Sequence, residues 1–132
     1  MAILKSESLS YKLRGAFFDV YNTLGPSFKE SIYHNALVFE FTTQGIPFKE
    51  KVRMPIFYKN KQVGIYEPDF VIDNKILIEI KAVPTLLKLF DMQLYYYLKG
   101  TPYELGFLVN FGSDKIQIKR RIQDKSVLKI NP

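Results

Sequence analysis

Cysteine is absent from the 132 residues. Disulfides and thiolate metal sites are therefore excluded, and a reducing cytoplasm is the expected setting. Histidine occurs once, as His34, so a multi-histidine zinc site is excluded and a protein-held metal must rest largely on carboxylates. No apolar run approaches the roughly 20 residues that span a bilayer. Met1-Ala2-Ile3-Leu4-Lys5 lacks the apolar core and cleavage signal of a secretory peptide, so no membrane partner is expected. The glycines are scattered and form no phosphate-cradling loop. A single histidine also argues against a serine–histidine catalytic constellation.

What is present is a globular composition, 47% apolar, with a net charge of +6. The length suits one domain over residues 1–132 with a real core. The positive balance favours phosphate-bearing partners. Part of it is local: Lys115, Lys119, Arg120, Arg121, Lys125 and Lys129 crowd the last stretch. That run reads equally as a charge-guarded edge strand and tail or as a nucleic-acid contact.

The chain is organised around Glu67 to Lys81, which reads as a β-hairpin. Phe70-Val71-Ile72 and Ile76 to Ile80 are β-rich runs, and Asp73-Asn74-Lys75 supplies turn chemistry. Alternation puts Ile76, Ile78 and Ile80 on one face and Leu77, Glu79 and Lys81 on the other. A two-residue turn at Asn74-Lys75 sets Asp69 opposite Ile80, on the wrong face. A three-residue turn pairs Ile72 with Ile76 and Asp69 with Glu79. Directly opposed residues have Cβ atoms about 5 Å apart, and two carboxylates that close repel unless a cation intervenes or one is protonated. With Lys81 beside them, the arrangement reads as a divalent-metal site for Mg²⁺ or Mn²⁺. The plainer reading of Glu-x-Lys is alternating charge on a wet strand face. The almost wholly apolar strand around Glu79 argues instead for burial on both faces.

Elsewhere, Leu9, Leu13, Ala16, Phe17, Val20, Tyr21 and Leu24 predict an amphipathic helix over about Ser8 to Leu24, ended by Gly25. A second helix is expected from about Ser27 to Gln44. On its wheel Ser31, His34, Asn35 and Thr42 share a polar side, which makes His34 a surface residue. Glu30 falls beside Tyr33, Leu37 and Phe41. Two readings of Glu30 stand together: the carboxylate of a capping box, Ser27-Phe28-Lys29-Glu30, or a carboxylate turned toward the metal site. Ile46-Pro47-Phe48 reads as a connector and Val52–Tyr58 as a strand that Pro55 places at an edge or bulge. Lys59-Asn60-Lys61 reads as a turn and Val63–Asp73 as the next strand. A helix over about Thr85 to Lys99 puts Gln93 on an apolar stripe with Leu86, Leu89, Phe90 and Tyr97. A buried amide needs partners, so Gln93 is either a core glutamine bonded to backbone or a donor aimed at the carboxylates or a phosphate. Tyr97 can be plain core with its hydroxyl at the rim. Strands over Tyr103–Asn110 and Ile116–Ile122 close the chain.

These residues resemble the PD-(D/E)XK nuclease superfamily, and more closely its small bacterial GxxExxY group. Pro68-Asp69 and Glu79-Ile80-Lys81 match the superfamily signature. Leu24-Gly25-Pro26-Ser27-Phe28-Lys29-Glu30-Ser31-Ile32-Tyr33, followed by Ala36-Leu37, resembles the group's own motif, except that Ser27 stands where that motif has its first glycine. The substitution strengthens the capping-box reading. Gln93 with Tyr97 resembles a Q-x-x-x-Y helix motif of one branch, and Val109-Asn110-Phe111-Gly112 resembles the group's closing strand. The likeness runs from about Tyr11 to Ile122; each motif is loose and their order is the specific signal.

The resemblance implies an α/β (α+β) restriction-endonuclease-like core, a mixed sheet flanked by helices on both sides, and metal-dependent cleavage of phosphodiesters. Asp69 and Glu79 would hold Mg²⁺ (or Mn²⁺). Lys81 would orient a water or stabilise the pentavalent phosphate; its ammonium form is favoured beside two carboxylates, so it is not the base. Glu30 would be an accessory ligand or outer partner, and Gln93 and Tyr97 would position metal water or phosphate. The expected substrate is DNA. The alternatives are a catalytically silent nuclease-like module that binds nucleic acid or a protein partner, and a purely structural interaction module. A chain this short leaves little room for a substrate-recognition domain, so a homo-oligomer or larger assembly is expected.

Overall fold

The computed structural model describes residues 6–125. Lys129, one of the basic tail residues, lies outside the described residues. The chain folds as α1 (Glu7–Leu24), α2 (Glu30–Thr43), β1 (Phe48–Glu50), β2 (Met54–Tyr58), β3 (Lys61–Tyr66), β4 (Phe70–Ile72), β5 (Ile76–Lys81), α3 (Lys88–Lys99), β6 (Leu105–Asn110) and β7 (Gln117–Ile122). Five strands form one sheet in the order β1-β4-β5-β6-β7, and β2 and β3 form a separate antiparallel ribbon. β5 pairs antiparallel with β4 and parallel with β6, so the sheet is mixed. The parallel step requires a crossover, and α3 supplies it. This is the architecture expected of a restriction-endonuclease-like core.

Side-chain alternation sorts the sheet into two faces. Phe70, Ile72, Ile76, Ile78, Ile80, Phe107 and Val109 pack with Leu13, Phe17, Val20, Tyr33, Leu37 and Phe41 of α1 and α2. Val71, Leu77 and Leu108 pack with Leu94 and Leu98 of α3, and with Met54 and Tyr66 of the ribbon. β5 is therefore covered on both sides, as its apolar sequence requires. The Asp73-Asn74-Lys75 turn has positive φ at Asp73 and Asn74, and Ile72 pairs with Ile76. Of the two hairpin registers, the three-residue turn is the one formed.

Several boundaries differ from the sequence expectation. The stretch 63–73 is not one strand. Glu67-Pro68-Asp69 separates β3, in the ribbon, from β4, in the sheet. Pro68 has no N–H to continue a ladder, so the chain changes partner there. Phe48 begins a short strand, β1, rather than a connector; it pairs with Ile72 at the sheet edge. Pro55 does sit in a two-stranded ribbon, with an irregularity between Ile56 and Phe57.

α2 begins at Glu30, not Ser27, and Lys29 precedes it without a side-chain capping bond. The capping box is not formed. The cause is Tyr33, whose fully buried ring stacks on Phe111 at 4.8 Å. Its hydroxyl donates to the Gly25 carbonyl oxygen and accepts from Phe28 N–H at 3.2 Å. Residues 25–28 are thereby held as a loop. α3 starts at Lys88 rather than Thr85, because Asn110 binds both backbone groups of Val83 and Pro84 biases Val83 to an extended backbone.

Candidate functional site

β5 delivers Glu79 and Lys81 to the α3 side of the sheet. They line a cleft of about 240 Å³ together with Tyr66, Phe90, Gln93 and Tyr97. The Glu79 carboxylate is mostly buried and accepts a hydrogen bond from Tyr66 OH at 2.6 Å. Burial is the largest influence on it and pushes its pKa up to about 7. The Tyr66 hydrogen bond and the Lys81 charge oppose that shift, and the charges of Asp69 and Glu30 add to it. Burial, then the Glu79 charge, drives the Tyr66 phenol upward in turn, so it remains a donor.

Asp69 immediately precedes β4. Extending the observed register places it opposite Glu79, because Phe70 pairs with Ile78. Its carboxylate does not simply stand on the face beside Glu79. Oδ2 turns inward and accepts the Ile80 N–H at 2.7 Å, continuing the ladder where β4 has ended. From that position it is open to a second hollow on the α2 side, lined by Glu30, Ser31, His34, Asn35, Lys51 and Asp69. Burial raises the Asp69 pKa; the Ile80 N–H, His34, Lys81 and Lys51 pull it back.

Glu30 is exposed as a residue but directs its carboxyl at this hollow. Partial burial, then the Asp69 charge, raises its pKa. Asp69 thus links Glu79 on one side and Glu30 on the other. Lys81 offsets all three, and its ammonium lies 4.3 Å from the centre of the Phe90 ring.

Two expectations are corrected here. His34 is not a surface residue: it is 7% exposed, stacks on Phe70 at 4.3 Å, and its Nε2 lies 2.8 Å from Glu50 Oε1. β1, absent from the expected strands, is what brings Glu50 under it. Gln93 is not a core amide. It is exposed, and the buried residues of α3 are Leu94 and Leu98. Gly106 explains the rotation, because a Cβ there would lie 3.0 Å from Leu94 Cδ1. Leu94 seats over the missing side chain, which turns Phe90, Gln93 and Tyr97 toward the cleft instead of the sheet. Tyr97 is half-buried and lies flat on Tyr66, ring centres 3.7 Å apart. Nothing local in the sequence marks Tyr66, a ribbon tyrosine, as the partner of a carboxylate 13 residues later.

The donor set is hard oxygen. Among the described residues no three carboxylate or imidazole side chains come together closely enough to enclose a metal. Mg²⁺ does not need such a cage: it keeps several waters and is held by one or two carboxylates plus substrate phosphate. Asp69 and Glu79 each use one oxygen in a protein hydrogen bond, leaving Asp69 Oδ1 and Glu79 Oε2 for a cation. Burial raises both pKa values and the Asp69 charge adds to the rise at Glu79, a cost that a divalent ion would relieve. The residues fit the metal.

The closing strand has a structural task. Asn110 is fully buried; its Oδ1 accepts from Val83 and Gly112 N–H, and the two N–H donors of its Nδ2 are shared among Val83 O, Ser113 Oγ and Gln117 Oε1. A Cβ on Gly112 would lie 2.3 Å from Val83 N. This lock fixes the chain just past Lys81. In the basic C-terminal stretch, Arg121 pairs with Asp91 of α3, and Lys125 Nζ donates to Leu98 O at 2.6 Å at the helix end. Lys119 and Arg120 remain exposed.

A mixed sheet with paired acids and a lysine at the end of its central strands defines a nuclease-like protein. A family model described as the PD-(D/E)XK nuclease superfamily matches residues 7–122, and the chain belongs to that superfamily. No curated protein and no solved structure shows a significant match to it. Among the described residues no helix is long and apolar enough to cross a membrane.

Proposed function

We propose that the protein is a Mg²⁺-dependent nuclease that hydrolyses phosphodiester bonds in DNA, and that it is a member of the GxxExxY group working in a reducing cytoplasm. The observation that carries the reading is the electrostatic state of the cleft: the Asp69 and Glu30 charges raise the Glu79 pKa, the Asp69 charge raises that of Glu30, and Lys81 opposes the rise at all three carboxyls. Tyr33 is occupied in holding the loop before α2, which leaves Glu30 as the residue of that motif without a packing role. When bound at Asp69 and Glu79, the metal supplies a water of lowered pKa and offsets charge on the attacked phosphate.

The remaining work belongs to the chain. Tyr66 and the Ile80 N–H each hold one carboxylate oxygen and so orient the other outward. Lys81 faces the same cleft and neutralises charge developing on phosphate oxygens. Gln93, exposed at the rim, is in place to donate to phosphate or to a metal water. Tyr97 buttresses Tyr66 by stacking. Glu30 acts through Asp69 as an outer partner.

The test is purified protein with plasmid DNA and Mg²⁺. Wild type nicks or linearises the plasmid, and Glu79→Ala and Lys81→Ala do not. Equal background from wild type and Glu79→Ala ends the catalytic reading. A second reading, binding without cutting, is favoured by the exposed cations Lys119 and Arg120 on β7, which need no metal to meet phosphate. DNA binding that is salt-dependent but needs neither Mg²⁺ nor Glu79, with no cleavage, would select it.

A further inference from the structure

The stretch Lys51 to Tyr66 contains four cations, Lys51, Arg53, Lys59 and Lys61, and no carboxylate. All four side chains are exposed; Arg53 pairs with Glu67 at 3.4 Å, Lys51 lines the hollow of Glu30 and Asp69, and Lys59 and Lys61 stand at the tip of the ribbon. This stretch is the β2–β3 ribbon and its lead-in, which stands outside the main sheet. It is anchored at its base, where Met54 and Tyr66 are buried and Tyr66 lies on Tyr97. Its tip is a two-residue turn, Lys59-Asn60, with positive φ at both positions. Between ribbon and α3 runs an open, largely apolar groove lined by Ile56, Gln93, Tyr96, Tyr97 and Gly100. Gln93 and Tyr97 also line the Glu79–Lys81 cleft, so the two hollows adjoin. Tyr96 is 58% exposed at the groove. An exposed aromatic ring in an apolar groove offers a face on which a base can stack.

We infer that this groove takes a single unpaired DNA strand, its bases against Tyr96 and Ile56 and its phosphates along the ribbon cations, and feeds it to the cleft. The inference rests on the nuclease reading for the role of the cleft. Charge complementarity chooses the occupant, because Lys59 and Lys61, exposed at the tip of the ribbon, suit a polyanion and not a basic or neutral peptide. The lining of the groove chooses the strandedness. Apolar and aromatic side chains serve bases whose faces are free, and in a duplex those faces are already stacked. The protein therefore acts on single strands, overhangs or frayed ends.

The experiment measures fluorescence anisotropy of labelled DNA of about 16 nucleotides, the upper site size of such modules, in metal-free buffer at low salt. The full-length chain binds the single strand at least tenfold more tightly than a blunt duplex of the same length. Tyr96→Ala, at an exposed position, lowers single-strand affinity about tenfold and leaves duplex binding unchanged. Replacing both Lys59→Gln and Lys61→Gln makes the salt dependence shallower. Equal or tighter binding of the blunt duplex, or unaltered single-strand affinity in Tyr96→Ala, overturns the inference. The same assay on Glu79→Gln separates the two ideas. If strand preference persists while plasmid cutting is absent even from wild type, the nuclease reading falls and the groove stands. If cutting depends on Glu79 but both DNA forms bind alike, the groove falls and the nuclease stands.

Discussion

Tyr66 OH donates to Glu79 Oε1 at 2.6 Å from a different sheet, joining the ribbon to the central strand of the core. The bond stabilises the ionised carboxylate against its burial. Tyr66→Phe keeps the ring on Tyr97 and removes only the donor. The expected outcome is a Glu79 pKa higher than in wild type, read by carboxyl carbon NMR over a pH titration. Folding stability falls by about 1–3 kcal/mol at pH 8, by urea titration, because a buried acceptor has lost its partner. An unshifted Glu79 would show that the bond does not govern its ionisation.

Stability without metal should fall as pH rises. The folded pKa of Glu79 is about 7 against an ordinary 4.5, so the fold favours the protonated form. Its contribution is complete below about pH 4.5 and is lost as pH climbs through about 7, a change on the order of a few kcal/mol. Asp69 acts with the same sign. Urea titrations across this range should show the decline, and Glu79→Gln should flatten it. Adding Mg²⁺ above pH 7 should restore stability, since an ion that binds only the folded state stabilises it in proportion to RT ln(1 + [L]/Kd). Equal slopes for wild type and Glu79→Gln would assign the effect to other groups.

The sheet was legible in the sequence because its signals are local and strong. The apolar run Ile76 to Ile80 is a strand buried on both faces, and Asp73-Asn74-Lys75 makes its turn with the residues that tolerate positive φ. The register that sets Asp69 opposite Glu79 was legible in that turn; the bond of the Asp69 carboxylate to the Ile80 N–H, which opens it to the α2-side hollow, was not. What escaped depends on distant partners. His34 sits on the polar arc of α2, and only the small strand β1 brings Glu50 to satisfy it. Gln93 sat on an apolar stripe, and only Gly106 reveals which arc of α3 meets the sheet. The Ser27 start of α2 looked sound, and a tyrosine hydroxyl six residues on overrides it. Helix periodicity sorts faces by polarity; it does not say what each face will meet.

Arg121 and Asp91 tie β7 to α3, the helix that carries Gln93 and Tyr97. The bonded guanidinium holds the Asp91 pKa below its usual value, so this contribution is present above the ordinary aspartate pKa and is lost as pH falls below it. Arg121→Gln should cost about 1 kcal/mol, discounted for the partial exposure of the pair. A double-mutant cycle with Asp91→Asn should assign most of that cost to the pair. Zero coupling would reduce it to a surface contact.

Gly112→Ala is expected to be among the most damaging single changes, because the new Cβ would meet backbone atoms of Ala82 and Val83, which cannot rotate away. A loss on the order of 3 kcal/mol follows from overpacking. Asn110→Ala should lose a comparable amount through the unsatisfied Val83 and Gly112 groups. Chemical denaturation of both variants checks this, and near-wild-type stability in either would refute the lock.

The pairing of β5 with β6 also bears on how the chain emerges from the ribosome. Asp69, Glu79 and Lys81 are all synthesised before residues 105–110, which supply the neighbouring strand. Until then β5 presents an unpaired apolar border, the kind of border that invites sticking to other nascent chains. Chains terminated between α3 and β6 should precipitate or be retained by chaperones, and the cleft should take its final form only once residues 105–110 have paired with β5.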